Sequence, residues 1–228
     1  MNLSKRLNAV AGQITIGNTV ADIGTDHGYI PIYMTLNDFS PKAYAMDVNE
    51  GPLMRASDNI RKYNVEGKVV TRLSDGLKGL AEGEAKSIVI AGMGGLLTIR
   101  ILSDGIEVAK SADELILSPH SDVHLVREYL ADNDYKIINE DMVLEDGKFY
   151  FILKVVKGVM ELRDDVEKFF GKYLIERKDE TMGMYLKKEE AKRLSILDKM
   201  SASDNAERVM ELQAELELIR KALVCYEG

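Results

Sequence analysis

The sequence holds a single cysteine, Cys225, which excludes an internal disulfide framework and fits a reducing cytoplasm. No apolar run is long enough to span a bilayer, although hydrophobic residues make up 46% of the chain and are ample for a core. The first residues, Met-Asn-Leu-Ser-Lys-Arg-Leu, are basic but lack the apolar block of a signal peptide. A cytoplasmic protein with no membrane partner is therefore expected. Net positive charge is also missing: the formal balance is -8, so a nucleic-acid partner would need local Lys/Arg patches rather than bulk charge. The G-x-G-x-x-G turn of dinucleotide-binding folds is absent, and so is H-E-x-x-H. His120 and His124 stand at a spacing that can hold a metal on a helix, but Pro119 and Asp122 put His120 ahead of that helix. No metal is expected. The 228 residues allow one large domain, or one domain with an appendage.

What is present is organised around Thr19 to Pro31, Thr-Val-Ala-Asp-Ile-Gly-Thr-Asp-His-Gly-Tyr-Ile-Pro. Val20 and Ile23 flank Asp22 in a short apolar run, Gly24 and Gly28 follow, and an amphipathic stretch begins. That order predicts a buried parallel strand, a tight turn, and a helix whose first amides face a ligand. A carboxylate two residues before the first glycine does not suit a pyrophosphate, because like charges at close range repel. It suits a ligand with a cationic or amino-bearing end, such as the methionyl moiety of S-adenosylmethionine.

Ahead of that turn, apolar Leu3, Leu7, Val10 and Ala11 predict a helix over Leu3 to Ile14, capped by Ser4. It covers one end of the sheet or brings Lys5 and Arg6 beside the ligand mouth. After it, Tyr29 to Leu36 is a helix and Lys42 to Asp47 a second strand. Asp47 at that strand's end is placed to accept from two ribose hydroxyls. Asn49 is expected to cap a helix from about Gly51 to Tyr63, where Arg55, Arg61 and Lys62 form a solvated face. Val69 to Leu73 and Ser87 to Ala91 are further strands, the latter running into Gly92-Met93-Gly94-Gly95, a backbone that permits close approach. Leu96 to Val108 reads as one helix, Glu114 to Ser118 as a strand stopped by Pro119, and Val123 to Asn133 as a helix. Tyr135 to Val143 and Lys148 to Val156 flank a Glu145-Asp146-Gly147 hairpin signal. Alternating strands and helices imply a parallel sheet covered on both faces, here with an antiparallel last strand.

Beyond Gly158 glycine becomes scarce and apolar residues fall into heptads. Val166, Phe169, Phe170, Tyr173 and Leu174 mark one helix, and Leu186, Leu194, Leu197 and Met200 another. Val209, Leu212, Leu216, Ile219 and Leu223 form the cleanest stripe, after a Ser201 to Asn205 loop and cap. An antiparallel helical hairpin like a short coiled coil is expected, with Cys225 as a packing residue.

Asp-Ile-Gly-Thr-Asp-His-Gly-Tyr-Ile-Pro (22–31), Asp-Val-Asn-Glu-Gly-Pro (47–52), Asp-Gly-Leu (75–77), Ile-Ala-Gly-Met-Gly-Gly (90–95) and Glu-Asp-Gly-Lys-Phe-Tyr (145–150) resemble the bacterial tRNA (adenine-22, N1) methyltransferase family. The resemblance runs through nearly the whole chain. It implies a class I Rossmann-like methyltransferase sheet over residues 1–158, with S-adenosylmethionine as donor. It also implies a helical coiled-coil-like domain over 159–228 that helps hold tRNA. A monomer is expected rather than an obligate oligomer. By the same resemblance, donor contacts fall to Asp22, Gly24, Thr25, Asp26, His27, Gly28, Asp47, Val48, Asp75, Gly76, Ala91, Gly92 and Met93. Substrate contacts fall to Lys5, Arg6, Met93, Gly94, Ser118 and His120. Asp26, His27 and Tyr29 serve the chemistry, Asp26 by stabilising the positive charge that develops on the base. Family members tend to have Ser-Asp-His-Ala where this chain has Thr25-Asp26-His27-Gly28, and Glu where it has Asp47. Their fifth strand usually ends Gln-Pro-Asn, against Ser118-Pro119-His120 here.

The chemistry agrees in one respect. Enzymes methylating exocyclic amines often carry Asn/Asp-Pro-Pro-Tyr/Phe after the fourth strand, and this chain has Ala-Gly-Met-Gly-Gly. Adenine N1 owns a free lone pair and needs orientation rather than a base. The lack of a cysteine nucleophile argues against carbon-5 pyrimidine methylation. An oxidoreductase is disfavoured by the missing dinucleotide turn. A small-molecule methyltransferase and a non-catalytic scaffold for the helical tail stay open.

Overall fold

The first helix, α1 (Lys5–Gln13), is opened by Ser4, whose hydroxyl accepts from the Leu7 N–H at 3.3 Å and satisfies one of the free amides of a helix start. Val10 and Ala11 turn into the core. The chain then runs β1 (Val20–Ile23), α2 (Tyr29–Leu36), β2 (Ala43–Asp47), α3 (Glu50–Lys62), β3 (Val69–Leu73), β4 (Ser87–Ala91), α4 (Gly95–Asp104), α5 (Ile106–Ser111), β5 (Glu114–Ser118) and α6 (Val123–Asp132). A hairpin, β6 (Tyr135–Glu145) and β7 (Lys148–Lys157), follows. A computed structural model describes residues 1–200 and 206–228, so the expected loop and cap at Ser201 to Asn205 lies outside the described residues. The chain divides into two units, Met1–Met160 and Glu161–Gly228.

The first unit is built on one seven-stranded sheet in the order β3-β2-β1-β4-β5-β7-β6. β1 to β5 are parallel, and β7 enters antiparallel between β5 and β6. Every residue of β1 is buried, as a central parallel strand with helices on both faces requires. The order reverses at β1, so the ends of β1 and β4 flank the crevice where such sheets bind ligands. Asp146 and Gly147 both have positive φ, 49° and 75°, the backbone of a two-residue hairpin turn that follows the sheet's twist. Two polar groupings tie the layers together. Arg127 on α6 donates from Nε (3.0 Å) and Nη2 (2.8 Å) to Glu140 on β6, both side chains 1% exposed. Glu114 at the start of β5 accepts from Thr15 and Ser87 and pairs with Lys154 at 3.0 Å.

Several elements differ from expectation. The helix predicted over Leu96 to Val108 is broken at Gly105, because the turn before it packs tightly there. A Cβ on Gly105 would lie 2.6 Å from the Leu77 Cβ. Asn49 occupies the cap position of α3, but its side chain makes no capping bond. Arg55 is not simply solvated, since it holds Asp26 at 2.9 Å.

The second unit begins with α7 (Asp165–Phe170), capped by Asp164, and α8 (Lys172–Glu176). These replace the single helix expected there, because Gly171 at φ 89° turns the chain between them. α9 (Glu180–Lys199) and α10 (Ala206–Glu227) form the hairpin. Arg193 pairs with Glu215 at 2.9 Å and Glu190 with Arg220 at 3.0 Å, so the two helices run antiparallel. Leu212, Leu216, Ile219 and Ala222 are buried on α10 and Leu186 on α9. Leu194 and Cys225, expected to pack, are exposed. They sit on α-helical turns just off that buried stripe. Among the described residues no helix is long and apolar enough to cross a membrane.

Candidate active site

The turn after β1 is pinned to the neighbouring strand: the N–H groups of Gly24 and Thr25 both donate to the Met46 carbonyl at 2.8 Å. Gly24 has φ 74°, and a Cβ there would run into the methyl of Met93, which lies over the turn from the loop after β4. Glycine is required at this close approach. Asp22 beneath it is 6% exposed, and burial lifts its pKa to about 6. The Thr25 hydroxyl and the Arg6 charge pull it back, and Asp47 adds to the rise. His27 and Gly28 are consecutive left-handed residues (φ 64° and 69°) leading into α2. The His27 ring stacks on Tyr29 with centroids 5.2 Å apart and planes within 9°. Asp26 points outward, bonded to Arg55 and 3.5 Å from the His27 ring nitrogen. A carboxylate shared with a guanidinium has less negative charge to offer a ligand than a free one.

At the end of β2, Asp47 accepts from the Asn49 N–H at 2.7 Å, and the adjacent Val48 is 60% exposed. Asp75, after β3, is exposed, and Lys78 at 2.6 Å holds its carboxyl below the usual range. Gly76 beside it packs against Ile101. The loops after β4 and β5 are laced together: Gly92 N–H donates to Ser118 O at 3.2 Å and His120 N–H to Met93 O at 2.8 Å. Gly94 caps α4, and a Cβ on Gly95 would lie 2.6 Å from the Ser121 carbonyl. Ala91 is half-buried and Ser118 fully buried.

α1 and the hairpin meet at this edge. The Arg6 N–H donates to Glu145 at 3.0 Å, and its guanidinium lies over the Tyr150 ring at 5.3 Å. Tyr150 in turn meets His120 edge-on, centroids 5.3 Å apart. Burial, then the charges of Arg6 and Lys148, hold His120 below its ordinary pKa. Lys5 stays exposed, reaching the Leu144 carbonyl at 3.3 Å. Sequence reasoning singled out Arg6 and His120 but not Tyr150, whose partners lie far off in the chain. Only its place in the hairpin motif pointed to it.

A family model described as a methyltransferase domain matches residues 3–153. The chain is also 34% identical over 235 residues to the tRNA (adenine(22)-N(1))-methyltransferase of Bacillus subtilis, covering 98% of both proteins. The chain belongs to this methyltransferase family. The crystal structure of the B. subtilis m1A22 tRNA methyltransferase TrmK matches with a TM-score of 0.86 at 32% identity, over 97% of this chain and 98% of that one. A Streptococcus pneumoniae chain solved in complex with S-adenosyl-L-methionine matches with a TM-score of 0.89 at 32% identity, over 97% of this chain and 100% of that one.

The methyltransferase has the polar lining that a small charged ligand needs. Among the described residues, buried side-chain atoms without a hydrogen-bond partner include Arg6 Nη1, Ser118 Oγ and the hydroxyls of Tyr129 and Tyr135. Arg6 Nη1 and Ser118 Oγ belong to this one end of the sheet. Such atoms are costly to leave unpaired, and their clustering fits a bound partner.

Proposed function

We infer that this protein transfers the methyl group of S-adenosylmethionine to N1 of an adenine in tRNA, at position 22. The observation that carries this is the match to the B. subtilis enzyme, which runs through the helical unit as well as the methyltransferase domain. The donor supplies an electrophilic methyl on a sulfonium. The chain's task is then to bind, orient and exclude water.

The donor side of the site is assigned to the β1 turn and the strand-end carboxylates. Asp22 faces the amino-bearing end, Asp47 accepts from ribose, and Asp75 with Val48 and Gly76 receives the adenine. Gly24 to Gly28 and Ala91 to Met93 supply close backbone. The target base is assigned to Met93, Gly94, Ser118 and His120, with the stacked His27–Tyr29 pair offering an aromatic face. Adenine N1 carries its own lone pair, so these residues need only aim it at the methyl in line, and positioning of this kind supplies several kcal/mol. His120, held below its ordinary pKa, is neutral at pH 7 and adds no charge against a cationic product. The helical unit is assigned to tRNA, through exposed Lys187, Lys188 and Lys192 of α9, and the protein to the cytoplasm, where its substrate is found.

The test is direct. Purified protein is incubated with total tRNA and labelled donor, and the modified nucleotide is mapped. The expected product is 1-methyladenosine at position 22. Label at another base or atom, or none in tRNA, would refute the assignment.

A further inference from the structure

Among the described residues, the non-glycine positions at positive φ are Asp, Asn or Lys, with one exception. The exception is His27, at φ 64°, in the turn after β1. A ring-bearing residue held there is strained, and strain of this kind persists only where the surroundings impose it, typically at a functional site. The surroundings here are one face of α3. Ala56, fully buried, packs against the turn so closely that a Cβ on Gly28 would lie 3.2 Å from its own. On either side of Ala56 in sequence, Arg55 and Asn59 reach back to the turn. Arg55 holds the Asp26 carboxylate at 2.9 Å, but the two side chains are 48% and 66% exposed, and a pair so open to water constrains little. Asn59 is half-buried and donates from Nδ2 to the His27 carbonyl at 2.9 Å. That bond fixes the peptide plane joining His27 to Gly28, the two left-handed residues, and with it the backbone that carries the ring stacked on Tyr29.

We propose that Asn59 is a positioning residue for methyl transfer: through its bond to the His27 carbonyl it holds the His27–Tyr29 face turned to the target base. The proposal rests on the functional reading above, in which that face receives the base. Asn59 acts through His27 and touches neither donor nor base. Glycine at position 27 would adopt the turn at little cost, but it has no ring to offer. An amide suits the task, because it donates without adding a charge beside a base that becomes cationic. The donor side of the turn is held separately, by the Gly24 and Thr25 N–H groups on the Met46 carbonyl at 2.8 Å. Loss of the Asn59 bond therefore disturbs the base and leaves the donor in place.

Single-turnover methylation of tRNA at saturating S-adenosylmethionine tests this, with calorimetry for donor affinity. Asn59→Ala is expected to slow methyl transfer about 10- to 100-fold, on the scale of what a misplacement of about 1 Å can cost, at unchanged donor affinity. Asn59→Asp keeps the shape, but its carboxylate cannot donate, and it should be slowed as much. His27→Gly keeps the left-handed turn and loses the ring, so it should be slow too. Adding Asn59→Ala to it should slow it no further, since the brace then has nothing to aim. A double variant slowed by the product of the two single effects would make Asn59 merely structural and overturn the proposal, as would full rate in Asn59→Asp. Full rate in His27→Gly would remove the aromatic face from base binding, and the brace with it. Should no Asn59 variant fold, hydrogen exchange of the Asn59 side-chain amide in the wild-type chain decides: slow exchange supports the bond, and fast exchange overturns it. A wild-type chain that leaves tRNA unmethylated overturns the functional reading itself, whereas an active wild type with independent single effects overturns only the brace.

Discussion

Removing either half of the Arg127–Glu140 pair should cost differently, and the difference follows from burial. Both side chains are 1% exposed, and the guanidinium holds one carboxylate oxygen with two bonds while lying 5.1 Å from the Phe151 ring. Arg127→Met leaves a buried carboxyl that can escape its charge by taking a proton. From an ordinary carboxylate value of about 4.3 up to pH 7, that proton costs about 3.7 kcal/mol, at about 1.36 kcal/mol per unit. The folded variant then binds a proton that its unfolded chain does not, so its stability falls as pH rises and recovers by about 1.4 kcal/mol per unit on acidification towards pH 5. Glu140→Leu leaves a guanidinium, which has no such exit. Its penalty of about 3–5 kcal/mol should be flat across the same range. The double variant Arg127→Met with Glu140→Leu should lose much less than the two singles together. Urea unfolding at pH 5 and pH 7 measures this, with hydrogen exchange of β7 amides confining the readout to the first unit. Parallel pH profiles for the two single variants would refute the reasoning.

Asp47→Ala should weaken donor binding by about 1.5–3 kcal/mol, as for a lost charged acceptor, with calorimetry on the folded variant as the check. Burial alone would raise the pKa of Glu114, but hydrogen bonds from Thr15 and Ser87 and the Lys154 partner outweigh it and hold the carboxyl below its usual range. A carboxylate with a depressed folded pKa stabilises above its unfolded value, and that stability is lost as pH falls through the folded one. Glu114→Gln should accordingly flatten the acid limb of the stability curve. A chain ending after Met160 should still bind S-adenosylmethionine but methylate tRNA poorly; equal tRNA turnover would remove the helical unit from substrate binding. Lys187, Lys188 and Lys192 changed to Glu should weaken tRNA binding and flatten its salt dependence at unchanged donor affinity, since phosphate contacts release counterions.

Much of the sheet was legible because its signals are local. The Val20 to Ile23 run, the Ile-Val-Ile-Ala of β4 and the Asp146-Gly147 turn each specify their element with their own residues. What stayed hidden depends on partners distant in sequence. Gly105 breaks a good helical pattern only because Leu77 crowds it. Gly171 splits the next such pattern at a positive φ, whereas a lone glycine within a helical pattern can also be tolerated at a cost of about 1 kcal/mol, so its presence alone does not announce the break. At the site, Asp22, Asp47 and Asp75 could be placed from their strand ends. The seating of Arg6 on Tyr150, and the sharing of Asp26 with Arg55, need contacts that no spacing rule encodes. Arg193 looked like part of a basic stripe with Lys187, Lys188 and Lys192, but it is spent on Glu189 and Glu215 within the hairpin.

The position of β7 also sets when this protein becomes able to work. On a ribosome the chain emerges N-terminus first, so α1 and the first five strands are available long before Lys148–Lys157. Among the described residues β6 has no neighbour in the sheet other than β7, and β5 has a free edge until β7 arrives. Glu145 and Tyr150, which seat Arg6, ride on that same late hairpin. A nascent chain stalled before the hairpin thus carries the β1 turn and its carboxylates but leaves Arg6 unanchored. The last two strands to be synthesised in the first unit are the ones that complete the site begun by its first helix.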